Sequence, residues 1–131
     1  MALELVSEED ALLQIRGDAE ADGSWLRVWI PVVSEAVRAW LKHDWRLYAP
    51  LRDAAGSVVE DSNGDPLPLE DSNGPVTHPL VKGAVLLELA SQYRFREGEG
   101  ENFVPSHEGY GYILSKGATA ILSGVRKSTV R

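Results

Sequence analysis

The chain contains no cysteine among its 131 residues. That excludes disulfide frameworks, thiolate zinc sites and cysteine nucleophiles, and it suits a reducing compartment. Long apolar runs are lacking as well: none approaches the ~20 residues that span a bilayer. The start, MALELVSEED, has no basic region and turns acidic where a signal peptide stays apolar, so export by that route is not expected. Lysine and arginine are absent between Arg52 and Lys82, and acids are absent after Glu108. The three histidines, His43, His78 and His107, lack a second histidine at helical ligand spacing, which points to solvated or capping roles rather than a metal centre. No serine sits in a strand-to-helix elbow, and no glycine loop carries the lysine that holds a phosphate. Glu97, Glu99 and Glu101 form a run of loop carboxylates with nothing to bury them. The sequence therefore reads as a non-enzyme with no metal and no cofactor.

What is present is one domain's worth of helix, since domains commonly run ~100–150 residues. A chain of this length buries roughly two-thirds of its unfolded surface and needs no staple. Ser7-Glu8-Glu9-Asp10 opens a first helix, with Ser7 as cap and Gly17 as its stop. A second helix is predicted from about Asp22 to Lys42. Leu26, Trp29, Ile30, Val33, Val37, Trp40 and Leu41 recur on one side, and Arg27, Pro31, Ser34, Arg38 and Lys42 on the other. Pro31 removes a helical hydrogen bond, worth roughly 3 kcal/mol if uncompensated. On the polar side water can take the freed carbonyl, so a kink is expected, with two separate helices as the alternative. Trp25, Trp29 and Trp40 form a stripe at helical spacing, which is usually core, though tryptophan is also favoured at interfaces.

From about residue 46 to 77 the pattern changes to turn signals and short apolar stretches. Asp53-Ala54-Ala55-Gly56 and Ser62-Asn63-Gly64-Asp65 flank Ser57-Val58-Val59-Glu60, and EDSNG occurs twice, from Glu60 and from Glu70. A meander of short strands is predicted, with Pro66, Pro68 and Pro75 holding the strands at an edge. Asp61-Ser62-Asn63-Gly64-Asp65 imitates the start of a calcium loop, but Pro66 stands where the loop needs glycine and Ser72 where it needs glutamate. A third helix starts at His78-Pro79 and, being apolar on more than one face, is the expected central helix. After an acidic loop from Gly98 to Glu108, a fourth helix is predicted from about Tyr110 to Val125, weakened by Gly111, Gly117 and Gly124. The fold class is mainly α: a compact bundle of about four helices with a short β-hairpin or meander insertion between helices 2 and 3.

The order of these segments resembles the head-tail connector, or adaptor, proteins of tailed bacteriophages. The likeness is carried by SEEDALLQIRGD, DGSWLRVWIPVVSEAVRAWLKHDW, PLVKGAVLLELASQYRFRE and the ending AILSGVRKSTV. These are patterns of apolar spacing, strongest over Pro79–Glu97 and Ala120–Arg126; Pro31 and the extra tryptophans depart from them. The resemblance implies a single domain over 1–131 that forms a homo-oligomeric ring, a dodecamer, beneath the portal protein. Such a ring joins head to tail, extends the DNA channel and supports the next neck or tail-completion protein. It implies a virion location in the neck, synthesis in the host bacterial cytoplasm, no membrane partner, and DNA that passes without sequence-specific binding. A C-terminal docking tail over about 124–131 would place Arg126, Lys127, Thr129, Val130 and Arg131 at the portal. The acidic insertion, through Glu60, Asp61, Asp65, Glu70 and Asp71, is expected to face the channel or a neighbour, where it would repel DNA phosphates. The alternative is a small helical protein-binding module using its basic C-terminal tail.

Overall fold

The computed structural model describes residues 3–94 and 114–127. Four α-helices appear among them: α1 (Glu8–Ile15), α2 (Ala19–Leu41), α3 (Pro79–Arg94) and α4 (Lys116–Lys127). Between α2 and α3 lie a 3-10 turn (Asp44–Leu47) and a two-stranded antiparallel sheet of β1 (Glu70–Asp71) and β2 (Gly74–Pro75). The protein is mainly α, as its periodicities predict. None of the described helices is long and apolar enough to cross a membrane.

Helix α1 starts where Ser7 Oγ accepts from the Asp10 N–H at 3.1 Å. It ends differently from expectation. Arg16, not Gly17, takes the left-handed conformation (φ 57°). Gly17 serves another purpose: a Cβ there would stand 2.6 Å from Asp22 Oδ2. That carboxylate oxygen accepts from the Asp18 N–H at 2.9 Å, while Asp18 caps Ala21 at 3.2 Å. The start of α2 is thus a reciprocal cap that only a residue without a side chain at 17 lets form.

Helix α2 runs through Pro31 without a break, so the two-helix alternative is excluded. Leu26, Ile30, Val33, Val37 and Leu41 form its buried stripe. Each such side chain contributes about 1.5–3 kcal/mol on burial. The tryptophans sit at the margin of this stripe rather than inside it. Trp25, Trp29 and Trp40 are half-buried against the core, and Trp25 stacks on Trp29 with centroids 5.6 Å apart. Ser34 is the correction on the opposite side: it is fully buried, and its Oγ accepts from the Leu5 N–H at 3.0 Å. This bond docks the N-terminal segment, so Leu5 and Val6 join the core.

Helix α2 closes on Lys42, a second left-handed residue (φ 72°) whose N–H donates to the Arg38 carbonyl. A side chain in that region costs roughly 1 kcal/mol that glycine does not. Lys42 is exposed, so Lys42→Gly is expected to stabilise the protein by about 0.5–1 kcal/mol, read as a higher midpoint in urea unfolding.

The insertion is built from backbone. Leu51 N–H donates to the Leu67 carbonyl, Leu67 N–H to the Val59 carbonyl, and Val59 N–H to the Leu51 carbonyl, each at 2.9 Å. A second cycle joins Ala49 to Val76, Val76 to Leu69 and Leu69 to Ala49, each at 2.8 Å. Four extended segments therefore close on one another at two levels: 49–51 and 67–69 take part in both, Val59 completes the first and Val76 the second. Closure removes the open edge that the prolines were expected to mark. Pro50, Pro66, Pro68 and Pro75 stand in the bridges, at positions whose missing N–H neither cycle needs. The turns share one chemistry. Asp53, Asp61 and Asp71 each accept from the N–H two residues on, and Gly56, Gly64 and Gly74 supply the positive φ. No residue from 48 to 80 is buried, so the insertion holds its shape by hydrogen bonding outside the core.

Helix α3 carries the centre of the bundle through Val81, Ala84, Val85 and Leu89. It is less enclosed than its composition implies. Leu80 and Leu87 are 43% and 37% exposed, while the polar Glu88 and Gln92 are buried. Helix α4 lies along it, burying Ala118, Leu122 and Val125. Leu114 and Ser115 are non-helical and α4 begins at Lys116; the expected start near Tyr110, with Ile113 and Gly111, lies outside the described residues. So do the acidic loop and its carboxylates Glu97, Glu99 and Glu101.

Candidate interaction surfaces

The start of α4 is tied to α3 by one buried side chain. Glu88 Oε1 accepts from the Ser115 N–H at 2.9 Å, at the N-terminus of α4. Its other oxygen accepts from Gln92 Nε2 at 3.1 Å. A carboxylate with no exposed surface thus meets the donor end of a helix dipole, where negative charge is favoured. Ser115 Oγ adds a second cap by accepting from the Ala118 N–H at 3.3 Å. Spacing analysis passes over Glu88 because it occupies one polar position inside an apolar run, and its partner lies 27 residues further on.

Two further ties fix the helices. Asp22 Oδ1 accepts from the Tyr93 hydroxyl at 3.0 Å, and Tyr93 meets Trp25 edge-on at 5.3 Å, joining the start of α2 to the end of α3. Lys82 Nζ lies 2.9 Å from Asp10 Oδ2. The hydrogen bond from Lys82 and its charge hold the Asp10 carboxyl below its ordinary range. This contribution is present above pH ~3.8 and is lost as pH falls through the lowered value.

The expected docking residues divide at the end of α4. Arg126 and Lys127 belong to its last turn. Thr129, Val130 and Arg131 lie outside the described residues. Gly124 and Val125 are helical, and Val125 is 3% exposed within the core, so the start of any free tail moves from about 124 to beyond Lys127. Removal of everything after Gly124 would therefore cut into the core. Helix α4 also uses two of its glycines for contact. A Cβ at Gly117 would come within 2.8 Å of Leu87, and one at Gly124 within 3.5 Å of Leu80.

The acidic residues of the insertion all lie on the segment between α2 and α3, outside the buried core. Glu60, Asp61, Glu70 and Asp71 are exposed and Asp65 is half-buried. Asp61 Oδ1 already accepts from the Asn63 and Asp65 N–H groups at 2.8 and 3.1 Å, so the calcium-like segment is a turn that uses its own carboxylate. Among the described residues no group of His, Asp and Glu is arranged to hold a metal ion.

His78 is a cap. Its Nδ1 accepts from the Leu80 N–H at 3.1 Å at the start of α3, and its N–H donates to the Leu47 carbonyl at 2.9 Å at the base of the insertion. Burial lowers its pKa from the ordinary 6.5. The neutral ring is the form that can accept at Nδ1. A depressed histidine contributes stability that is complete above the unfolded value and declines as pH falls below it. Unfolding free energy is therefore expected to drop as pH falls from about 6.5 toward 5, and His78→Asn, which can still cap, should flatten that slope.

Comparison with protein-family models, curated proteins and solved structures yields no match to this chain. The fold and surfaces define a small helical bundle carrying a backbone-closed β insertion, and function is read from those features.

Proposed function

We propose that the protein is a structural connector of a tailed bacteriophage, forming a ring under the portal that joins head to tail and extends the DNA channel. The observation that carries this reading is the presence of apolar exposure on two different helix pairs. Leu13 of α1 and Val28 and Val32 of α2 are 73%, 61% and 39% exposed. Leu80 and Leu87 of α3 lie over the exposed glycines of α4. A closed ring requires two unlike faces per subunit in heterologous contact. The segment order that resembles the adaptor family supports the same reading.

In this arrangement the ring is homo-oligomeric, a dodecamer, with the portal on one side and the next neck protein on the other. Arg126 and Lys127, with Thr129, Val130 and Arg131 after them, engage the portal. Glu60, Asp61, Asp65, Glu70 and Asp71 face the channel and keep DNA phosphates from adhering. The location is the virion neck, and the protein acts by assembly rather than catalysis. The second reading, a small helical binding module with a basic C-terminal tail, is favoured by the cationic last turn of α4. Native mass measurement of the full chain, alone and with portal, separates the two. Rings or portal-bound collars support the connector; a monomer or dimer that ignores portal supports the module. Cross-linking that places Glu60 and Glu70 on the outer rim of the ring would remove the channel role of the insertion.

A further inference from the structure

A cleft of about 320 Å³ lies between the β insertion and the end of α4. Trp45, Tyr48 and Val125 supply its apolar wall, and Arg46, Arg52 and His78 supply its polar one. Among the described residues none that lines it is acidic, in a chain whose net charge is −7.

Arg46 is held but incompletely satisfied. Its Nη1 donates to the Leu41 carbonyl at 2.8 Å, and its guanidinium carbon stands 5.2 Å from the centroid of the Trp45 ring. His43 stacks on the same ring with centroids 5.9 Å apart. The Arg46 Nε is enclosed and meets no hydrogen-bond acceptor among the described residues. A buried donor on a charged group without a partner is costly, so this guanidinium is held in place by packing rather than by full hydrogen bonding. Arg52 is placed by the insertion, where its Nη1 donates to the Gly56 carbonyl at 2.9 Å across one of the Asp-x-x-Gly turns. Among the described residues each guanidinium makes its hydrogen bond through Nη1 alone.

We propose that this cleft binds a carboxylate side chain of an acidic peptide segment from a partner protein. The carboxylate accepts from Arg46 and Arg52, and its apolar neighbours pack on Trp45 and Tyr48. Three observations select this ligand. The cleft holds one or two side chains rather than a folded surface. Its cations are arginines, whose planar forks suit carboxylates. The net charge of −7 disfavours a polyanion such as nucleic acid, whose binding depends on many phosphate contacts. The site is present in the single subunit, so it stands whether or not the chain forms a ring.

The test uses the isolated full chain and a library of acetylated, amidated pentapeptides with Glu fixed at the centre, followed by tryptophan fluorescence and amide chemical shifts. Peptides from this library are expected to bind and to move the signals of Trp45 and Tyr48. Replacing the central Glu by Gln, or Arg52 by Glu, is expected to weaken binding roughly tenfold or more. Arg52 is exposed, so R52E leaves the fold intact, which the unchanged shifts of core amides will confirm. Arg46→Lys, which keeps the charge but loses the fork, should weaken binding less than R52E. The proposal is overturned if no peptide binds, if Gln peptides bind as well as Glu peptides, or if R52E changes nothing. Inorganic phosphate or a single-stranded oligonucleotide binding more tightly than the best peptide would also overturn it.

Discussion

Replacing Glu88 by alanine is expected to destabilise the protein by about 3 kcal/mol, the largest loss from any single polar substitution in the bundle. The carboxylate has no exposed surface and receives hydrogen bonds from both Ser115 and Gln92. Truncation leaves the buried Gln92 amide and the part-buried Ser115 N–H without their acceptor, and each unsatisfied group costs roughly 1–3 kcal/mol. The loss should be local before it is global. Amides of α4 are expected to lose hydrogen-exchange protection first, because the severed bond holds the start of that helix. Glu88→Gln keeps the shape, can still accept from Ser115 and lets the Gln92 amide turn over, so it should cost only about 1 kcal/mol. Chemical unfolding of the two variants checks the ordering. Equal losses would show that the negative charge itself, not the hydrogen-bond geometry, anchors the helix.

Removal of residues 128–131 together with charge reversal at Arg126 and Lys127 is expected to abolish portal attachment, a loss of at least about 100-fold, or 2.7 kcal/mol. The boundary matters. Val125 is buried and also lines the cleft beside the insertion, so a cut after Gly124 would confuse loss of docking with loss of folding. A cut after Lys127 leaves all of α4 in place. Circular dichroism and the unfolding midpoint of the shortened chain should match those of the full chain. Retained attachment would relocate the docking surface, with the exposed leucines of α3 as the next place to look.

These two predictions rest on features that were unequally legible in the sequence. The start of α3 was readable at His78-Pro79, because a capping residue before proline has a local meaning, and His78 does cap the helix. The buried stripe of α2 was readable from spacing. Glu88, Gln92 and Ser34 were not, since periodicity places polar residues outward and says nothing of a partner distant in the chain. Leu5 and Val6 were missed for a related reason: a short segment has no period, and its docking depends on Ser34. In the insertion each Asp-x-x-Gly turn was visible, but closure was not. It depends on pairing between segments that are not neighbours in sequence, such as Leu51 with Leu67 and Ala49 with Val76. The prolines were read as edge markers because their missing donor is local information, whereas the level at which each stands in the closed structure is not.

Function was legible only as far as the resemblance and the surfaces carry it. The bundle explains how a subunit of this size holds a basic helix end and an acidic insertion in fixed relation. Glu88 anchors the start of the helix that carries the first, and two hydrogen-bonded cycles hold the shape of the second. The unlike apolar faces on α1–α2 and α3–α4 are what a ring would use.

The most direct measurement is negative-stain electron microscopy of the full chain mixed with the portal protein that the proposed role requires, with portal alone as reference. The account predicts an added collar of density beneath the portal, coaxial with its channel and lost when residues 128–131 are removed and Arg126 and Lys127 are reversed. Portal particles unchanged by the chain, with the chain remaining a separate small species, would contradict it.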